Sequence, residues 1–185
     1  MHGCCLDTWR NVTPWRSLEP ARTGREGMVD SWMVAQSVRD ALRDALGDEL
    51  VAVAIFGSHA RGDAGPDSDL DLLVIVHGLP EDLRRQRRML YDLLPDDLDI
   101  SVQLVVYSRE RFLSNFPSLY LDLGLDATVV HDTDGFFDRA LQRIRAITRE
   151  AKLAREPLGK DWHWYWTDGR VPGKWSITWE GYREQ

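Results

Sequence analysis

The sequence predicts an α/β domain whose β-sheet is covered by helices on both faces. Three observations carry this. Two apolar runs, Leu50–Phe56 and Leu72–Val76, have the length of strands and no polar face, as strands buried on both sides do. Around them, Trp32, Ala35, Val38, Leu42 and Leu46, and later Phe137, Leu141, Ile144, Ile147 and Ala151, recur at helical spacing. Between the apolar runs lies a polar stretch from Gly57 to Asp71, rich in glycine, serine and aspartate.

Composition bounds the answer. A chain of 185 residues is expected to form one domain with at most a small appendage. The net charge of -7 argues against general nucleic-acid binding by phosphate neutralisation. Lys152, Lys160 and Lys174 are the only lysines, so the arginine bias reads as coding composition and carries no functional weight. Cys4 and Cys5 are adjacent, which suits neither a disulfide nor a zinc site, and a reducing, cytoplasmic setting is expected. No apolar run approaches 18 residues and the N-terminus lacks an apolar signal core, so neither a membrane span nor a secretion signal is expected.

In order, residues 1–27 show no period and are broken by Pro14, Pro20, Gly24 and Gly27. They are expected to be a disordered arm or an upstream extension, with the domain proper over 28–156. Ser31 caps a helix to about Leu46, which Gly47 stops. Strands follow over Leu50–Phe56 and Leu70–Val76. A helix is expected from Pro80 and Glu81 to Pro95, with Leu83, Leu90, Leu93 and Leu94 on one side and Arg84, Arg85, Arg87 and Arg88 on the other, a solvated face. The spacing then predicts a strand over Leu98–Tyr107, a short helix over Arg109–Asn115 capped by Ser108, and a connection through Pro117 and Gly124. A fourth strand over Ala127–Val130 and a long helix capped by Asp134 complete the domain. Residues 157–185 are an aromatic-rich extension expected to pack on it, with Trp162, Trp164 and Trp166 on one face of a strand.

The chemistry concentrates after the first strand. In Gly57-Ser58, glycine lets the backbone approach a ligand and reach turn angles closed to other residues. The Ser58 hydroxyl and the amides of the turn suit a phosphate. Asp69 and Asp71 stand at i and i+2, so on an extended strand both carboxylates point the same way. Two such carboxylates repel unless a cation lies between them, and Mg²⁺ takes one or two carboxylates together with phosphate oxygens and water. Phosphates at Gly57-Ser58 and metal at Asp69 and Asp71 therefore complement each other for in-line displacement at phosphorus. Arg61 suits either a phosphate or a loop carboxylate such as Asp63 or Asp67. His59, Asp63 and Asp67 read most simply as loop residues.

Gly57-Ser58, ten intervening residues, then Asp69-Leu70-Asp71 resembles the signature of the DNA polymerase β-like nucleotidyltransferase superfamily, in particular its minimal nucleotidyltransferases. Ala60-Arg61-Gly62 and the flanking Ser68 and Leu72 share in it. The element order matches from about Met28 to Arg155, and Trp164-Tyr165-Trp166 with Pro172-Gly173 resembles the ending of some small members. The resemblance implies a short mixed sheet flanked by helices, two Mg²⁺ ions, and transfer of a nucleoside monophosphate, AMP above all, from ATP or another nucleoside triphosphate to an acceptor hydroxyl. It implies Gly57, Ser58, Arg61 and Ser68 on the nucleotide and Asp69 and Asp71 on the metals. Two further roles stand beside this: an antitoxin-like, nucleotide-binding partner of a HEPN-type toxin, and an enzyme modifying a small molecule, as aminoglycoside nucleotidyltransferases do. Those enzymes usually carry a larger helical second domain than the last thirty residues can supply.

The family's third carboxylate, on the neighbouring strand, helps deprotonate the acceptor. Counted back from the Ser108 helix start, its position reads Gln103, which cannot accept the proton. Asp99 is on the same face of the expected strand, four residues earlier, at about 13 Å. Either Asp99 is the third catalytic acid or the site has two.

Overall fold

The computed structural model describes residues 31–80, 82–159, 161–169 and 174–184. The expected arm over 1–27 and the Pro172-Gly173 ending lie outside the described residues. Helix α1 (Ser31–Leu46) buries Ala35, Val38 and Leu42 of the residues its period singles out, together with Val34, while Trp32 and Leu46 are only partly buried against the same core. Gly47, at φ +55°, turns the chain through a short 3₁₀ segment (Gly47–Glu49) into β1 (Leu50–Phe56), which is buried along its whole length. The short helix α2 (Gly57–Arg61) follows directly, then a loop and β2 (Leu70–Val76). Next come α3 (Leu83–Tyr91), β3 (Val102–Ser108), α4 (Arg109–Ser114), α5 (Leu119–Asp126), β4 (Thr128–Asp132) and the long α6 (Phe136–Glu150).

The sheet has four strands in the order β3-β2-β1-β4, and it is mixed: β2 and β3 run parallel, the other neighbours antiparallel. One face packs on α1 and α3 through Val53, Ile55, Leu70, Leu72 and Val74 against Val38, Leu42 and Leu90. The other packs on α4, α5 and α6 through Ala54, Phe56, Leu73 and Ile75 against Phe112, Tyr120, Phe137 and Ile144. The period of two along β2 therefore gives Asp71 the second face, with Leu73 and Ile75.

Two antiparallel hairpins end the described chain: β5 (Leu153–Leu158) with β6 (Asp161–Trp166), and β7 (Trp175–Thr178) with β8 (Gly181–Glu184). Because β5 starts three residues after α6 ends, the expected boundary at 156/157 falls inside β5. The turn of the second hairpin is pinned to the α4–α6 face. Trp179 packs on Phe112, Phe116 and Tyr120 and donates its Nε1 to the Asn115 carbonyl at 2.9 Å, and Arg143 donates to the Trp179 and Glu180 carbonyls.

Four expectations are corrected. Helix α3 starts at Leu83, not Pro80, because Asp82 caps it by accepting from Arg85 N at 2.9 Å, while the Pro80 carbonyl accepts from the Gln86 side chain. Leu83 is exposed, and Leu93 and Leu94 follow the helix, packed against the first core. Strand β3 begins at Val102 rather than Leu98. The stretch through Pro117 and Gly124 is a helix, α5. Its glycine marks a close crossing, since a Cβ at Gly124 would stand 2.6 Å from Ile144 Cγ2. Helix α6 is capped by Asp132, whose carboxylate accepts from Phe137 N and Asp138 N at 2.9 Å each, while Asp134 sits at φ +55° in the turn before it.

Candidate active site

The carboxyl end of β1 and the amino end of β2 meet at one edge of the second face. Gly57 leaves β1 at φ +71°, a region that costs other residues about 1–2 kcal/mol. A side chain there is also excluded sterically, because a Cβ on Gly57 would overlap Asp71 Oδ2. Phe56 pairs with Asp71 across the antiparallel ladder, so the ladder itself brings the Gly57-Ser58 turn against the Asp71 carboxylate. Gly57 and Asp71, from the two halves of the sequence motif, are thus in contact, though thirteen residues lie between them along the chain.

The intervening loop is held by its own polar groups. His59 Nε2 lies 3.2 Å from the Ser68 carbonyl oxygen, Ser68 Oγ accepts from Gly65 N at 2.9 Å, and Gly62, at φ +80°, ends α2 with its N–H on the Ser58 carbonyl. His59 and Ser68 here shape the loop that delivers Asp69 to β2. Arg61 donates Nε to Asp63 Oδ2 at 3.1 Å, and its Nη1 is 3.6 Å from Asp126 Oδ2.

The second face at this edge carries Asp71 from β2, Asp69 just before it, and Gln103 from β3. Parallel register pairs Asp71 with Gln103, and Gln103 Nε2 donates to Asp69 Oδ2 at 3.3 Å. Asp99 is exposed in the bend before β3, three residues ahead of the first residue that pairs with β2. Register therefore sets Gln103, not Asp99, beside the acidic pair. The strand carrying Gln103 is braced on its free edge by a residue that sequence reasoning missed. The Tyr91 hydroxyl accepts from Leu104 N at 2.9 Å and donates to the Val102 carbonyl at 3.4 Å, on either side of Gln103. Its only signal in sequence was an aromatic at the end of a helix.

Burial, and after it the neighbouring Asp69 charge, push the Asp71 carboxyl up from its ordinary value, while His59 and Arg61 pull it down less. Among the described residues no group of three or more His, Cys, Asp or Glu side chains converges on one point. The donor set is two hard oxygen ligands on one face, crowded enough that burial and repulsion penalise their joint charge. That chemistry fits Mg²⁺ completed by phosphate oxygens and water, and does not fit zinc.

A glycine-opened turn against a strand that starts beside two neighbouring carboxylates is the arrangement that the sequence motif led one to expect of an α/β nucleotidyltransferase. The chain belongs to the nucleotidyltransferase domain family, whose sequence profile matches residues 36–123. It is an enzyme of the nucleotidyltransferase class by that membership. It is 30% identical over 125 residues to the Methanocaldococcus jannaschii protein named "Putative protein adenylyltransferase MJ1305", covering 65% of this chain and 84% of that one. Among solved structures it is similar to a chain of a toxin-antitoxin with AMP-PNP, with TM-score 0.45 and 20% identity over 66% of this chain and 92% of that chain. It is also similar to a chain from a complex of a tri-AMPylated Shewanella oneidensis HEPN toxin with MNT antitoxin, with TM-score 0.45 and 18% identity over 64% and 87% of the two chains. At these scores neither structural likeness bears on what this chain does. No helix among the described residues is long and apolar enough to cross a membrane.

Proposed function

We propose that the protein transfers AMP from ATP to a hydroxyl on a protein acceptor. The observation that carries this is the contact of the Gly57-Ser58 turn with the Asp71 carboxylate, which sets a phosphate-accepting turn and a cation-accepting pair side by side. The choice of adenylyl group and of a protein acceptor is supported by the relative named as a protein adenylyltransferase, of which this chain covers 84%.

In this reading Gly57 and Ser58 receive the phosphates, Arg61 adds a guanidinium to them, and Ser68 closes the loop around them. Asp69 and Asp71 would hold Mg²⁺, two ions by the family resemblance, which supplies charge neutralisation across the phosphates. The acceptor oxygen attacks the α-phosphorus, the bond from that phosphorus to its bridging oxygen breaks, and pyrophosphate leaves with the electron pair. The hydroxyl proton goes to an aspartate of the pair or to water, because an amide at Gln103 cannot take it. Gln103 instead donates to Asp69 and orients it. A positioned general base contributes about 10²–10⁴-fold, so a site with Gln103 turns over slowly.

Calorimetry with ATP and Mg²⁺ tests the binding half of the proposal. The wild type binds, and an Asp69→Asn/Asp71→Asn double variant loses Mg²⁺-dependent binding; equal binding by both would sink it. A HEPN-type toxin, as the resemblance implies, is one protein acceptor to supply in the transfer assay.

A further inference from the structure

The family match ends at residue 123, and a connected polar network ties residues inside it to the chain beyond. Asp126, at the end of α5, is held by Arg155 of β5 through paired bonds, Nη2 to Oδ1 at 2.8 Å and Nη1 to Oδ2 at 2.7 Å. Arg155 also donates to Asp122 Oδ1 at 2.8 Å, and Trp164 Nε1 donates to the same oxygen at 3.1 Å. The Arg155 side chain is 6% exposed and that of Asp126 10%. On its other side Asp126 Oδ2 faces Arg61 Nη1 at 3.6 Å. The indole of Trp162 spans both cations: the Arg155 guanidinium is 4.4 Å from its ring centroid and that of Arg61 5.6 Å.

Anchoring the β5–β6 hairpin to α5 requires only Arg155, Asp122, Asp126 and Trp164. Two features exceed that need. The same oxygen of Asp126 that accepts from Arg155 also faces Arg61, the last residue of the helix that Gly57 and Ser58 open. Trp162 stays 39% exposed, so its ring is held beside Arg61 at the surface instead of being spent in the core. A free arginine side chain carries rotamer entropy that ligand binding must remove, and a fork already fixed by a carboxylate and an aromatic ring loses less.

We propose that the β5–β6 hairpin is part of the nucleotide site: Trp162, and Asp126 backed by Arg155, preorient Arg61 toward the pyrophosphate portion of a bound nucleoside triphosphate. Trp162 and Asp126 are positioning residues that act through Arg61. The proposal rests on the reading above that Arg61 meets the triphosphate.

The test is a double-mutant cycle on the full chain, read as Kd for ATP and for AMP by calorimetry with Mg²⁺ present. Trp162→Ala is the working variant because the residue is half at the surface, and its melting temperature is recorded beside the wild type's. Loss of a cation–π contact weakens ATP binding about two- to fivefold and leaves AMP unchanged, since AMP lacks the terminal phosphates. In an Arg61→Ala background the effect of Trp162→Ala disappears, and Trp162→Phe restores most of the affinity. A loss that is equal for ATP and AMP, or that persists without Arg61, overturns the proposal. So does normal ATP binding by Trp162→Ala when Arg61→Ala binds poorly, an outcome that leaves the proposed function standing. Normal ATP binding by Arg61→Ala overturns this proposal together with the role given to Arg61 above, whereas the adenylyl-transfer reading falls only with the Asp69→Asn/Asp71→Asn test.

Discussion

Replacing Gln103 by aspartate places a third carboxylate opposite Asp71, in register, beside Asp69. Neighbouring strands lie about 4.8 Å apart. Two unit charges at that distance repel by about 0.9 kcal/mol at the dielectric of water and about 3.5 kcal/mol at an effective value of 20. Gln103 is exposed and Asp71 half-buried, so the cost in metal-free protein falls between, at about 1–2 kcal/mol. For a chain of this size that lowers Tm by about 2–8 °C. Mg²⁺ removes the repulsion, so Gln103→Asp gains more thermal stability from Mg²⁺ than the wild type does. The new carboxylate also accepts the acceptor's proton, and adenylyl transfer accelerates about 10²-fold, the low end of general-base contributions. The assays are thermal melts with EDTA and with Mg²⁺, and transfer of label from ATP. A variant whose Tm does not fall in EDTA, and whose Mg²⁺ response matches the wild type's, refutes the placement of Gln103 beside the pair. Asp99→Asn, by contrast, leaves transfer within about twofold of wild type, as surface changes away from a site do.

Three further outcomes are expected. Gly57→Ala meets both a positive φ and the Asp71 carboxylate; it lowers stability by about 1–3 kcal/mol, and displacement of Asp71 by even about 1 Å reduces transfer about 10²-fold. Melts and labelled-ATP assays check it, and a wild-type profile contradicts it. Asp71→Asn acts through pH in EDTA: because folding raises the Asp71 carboxyl above its ordinary 3.8, the protonated form is the better folded one, so the group's stability is present at lower pH and lost as pH rises through the folded value. Wild type and variant therefore melt alike in acid, and the variant melts higher toward neutral pH; a variant that melts lower at pH 7 contradicts the burial argument. Gly124→Ala forces a methyl onto Ile144 where α5 crosses α6 and costs about 1–3 kcal/mol in chemical denaturation.

The elements legible in the sequence were those whose burial is one-dimensional. The apolar runs of β1 and β2 declare themselves because they are buried on both faces almost without a break, and the stripes of α1 and α6 because most of their buried positions follow one helical period. The placement of the candidate site was legible for a related reason: Gly57, Ser58, Asp69 and Asp71 lie near one another in sequence, and an antiparallel pairing closes the loop between them. What escaped depended on partners far along the chain. Helix α5 was hidden by Gly124, which reads as a breaker and is required by Ile144. Strand β3 was extended too far upstream because its apolar alternation continues past the last residue that β2 pairs with, Val102 opposite Leu70. That error is what kept Asp99 in view. The cap of α6 went to Asp134 in place of Asp132 because sequence spacing cannot show that the later residue sits at φ +55°. The link from Arg61 to Arg155 and Trp162 joins residues about a hundred positions apart, and no local pattern records it.

The central claim is that Asp69 and Asp71, set against the Gly57-Ser58 turn, transfer an adenylyl group. It is tested most directly by incubating the purified protein with ATP labelled at the α-phosphate, Mg²⁺ and a lysate or purified acceptor, and resolving the proteins on a denaturing gel. The wild type transfers label to a protein band in a Mg²⁺-dependent manner, and the Asp69→Asn/Asp71→Asn double variant, folded by its melt, transfers none. Equal labelling by both proteins, or no transfer from any of the four nucleoside triphosphates, contradicts the claim.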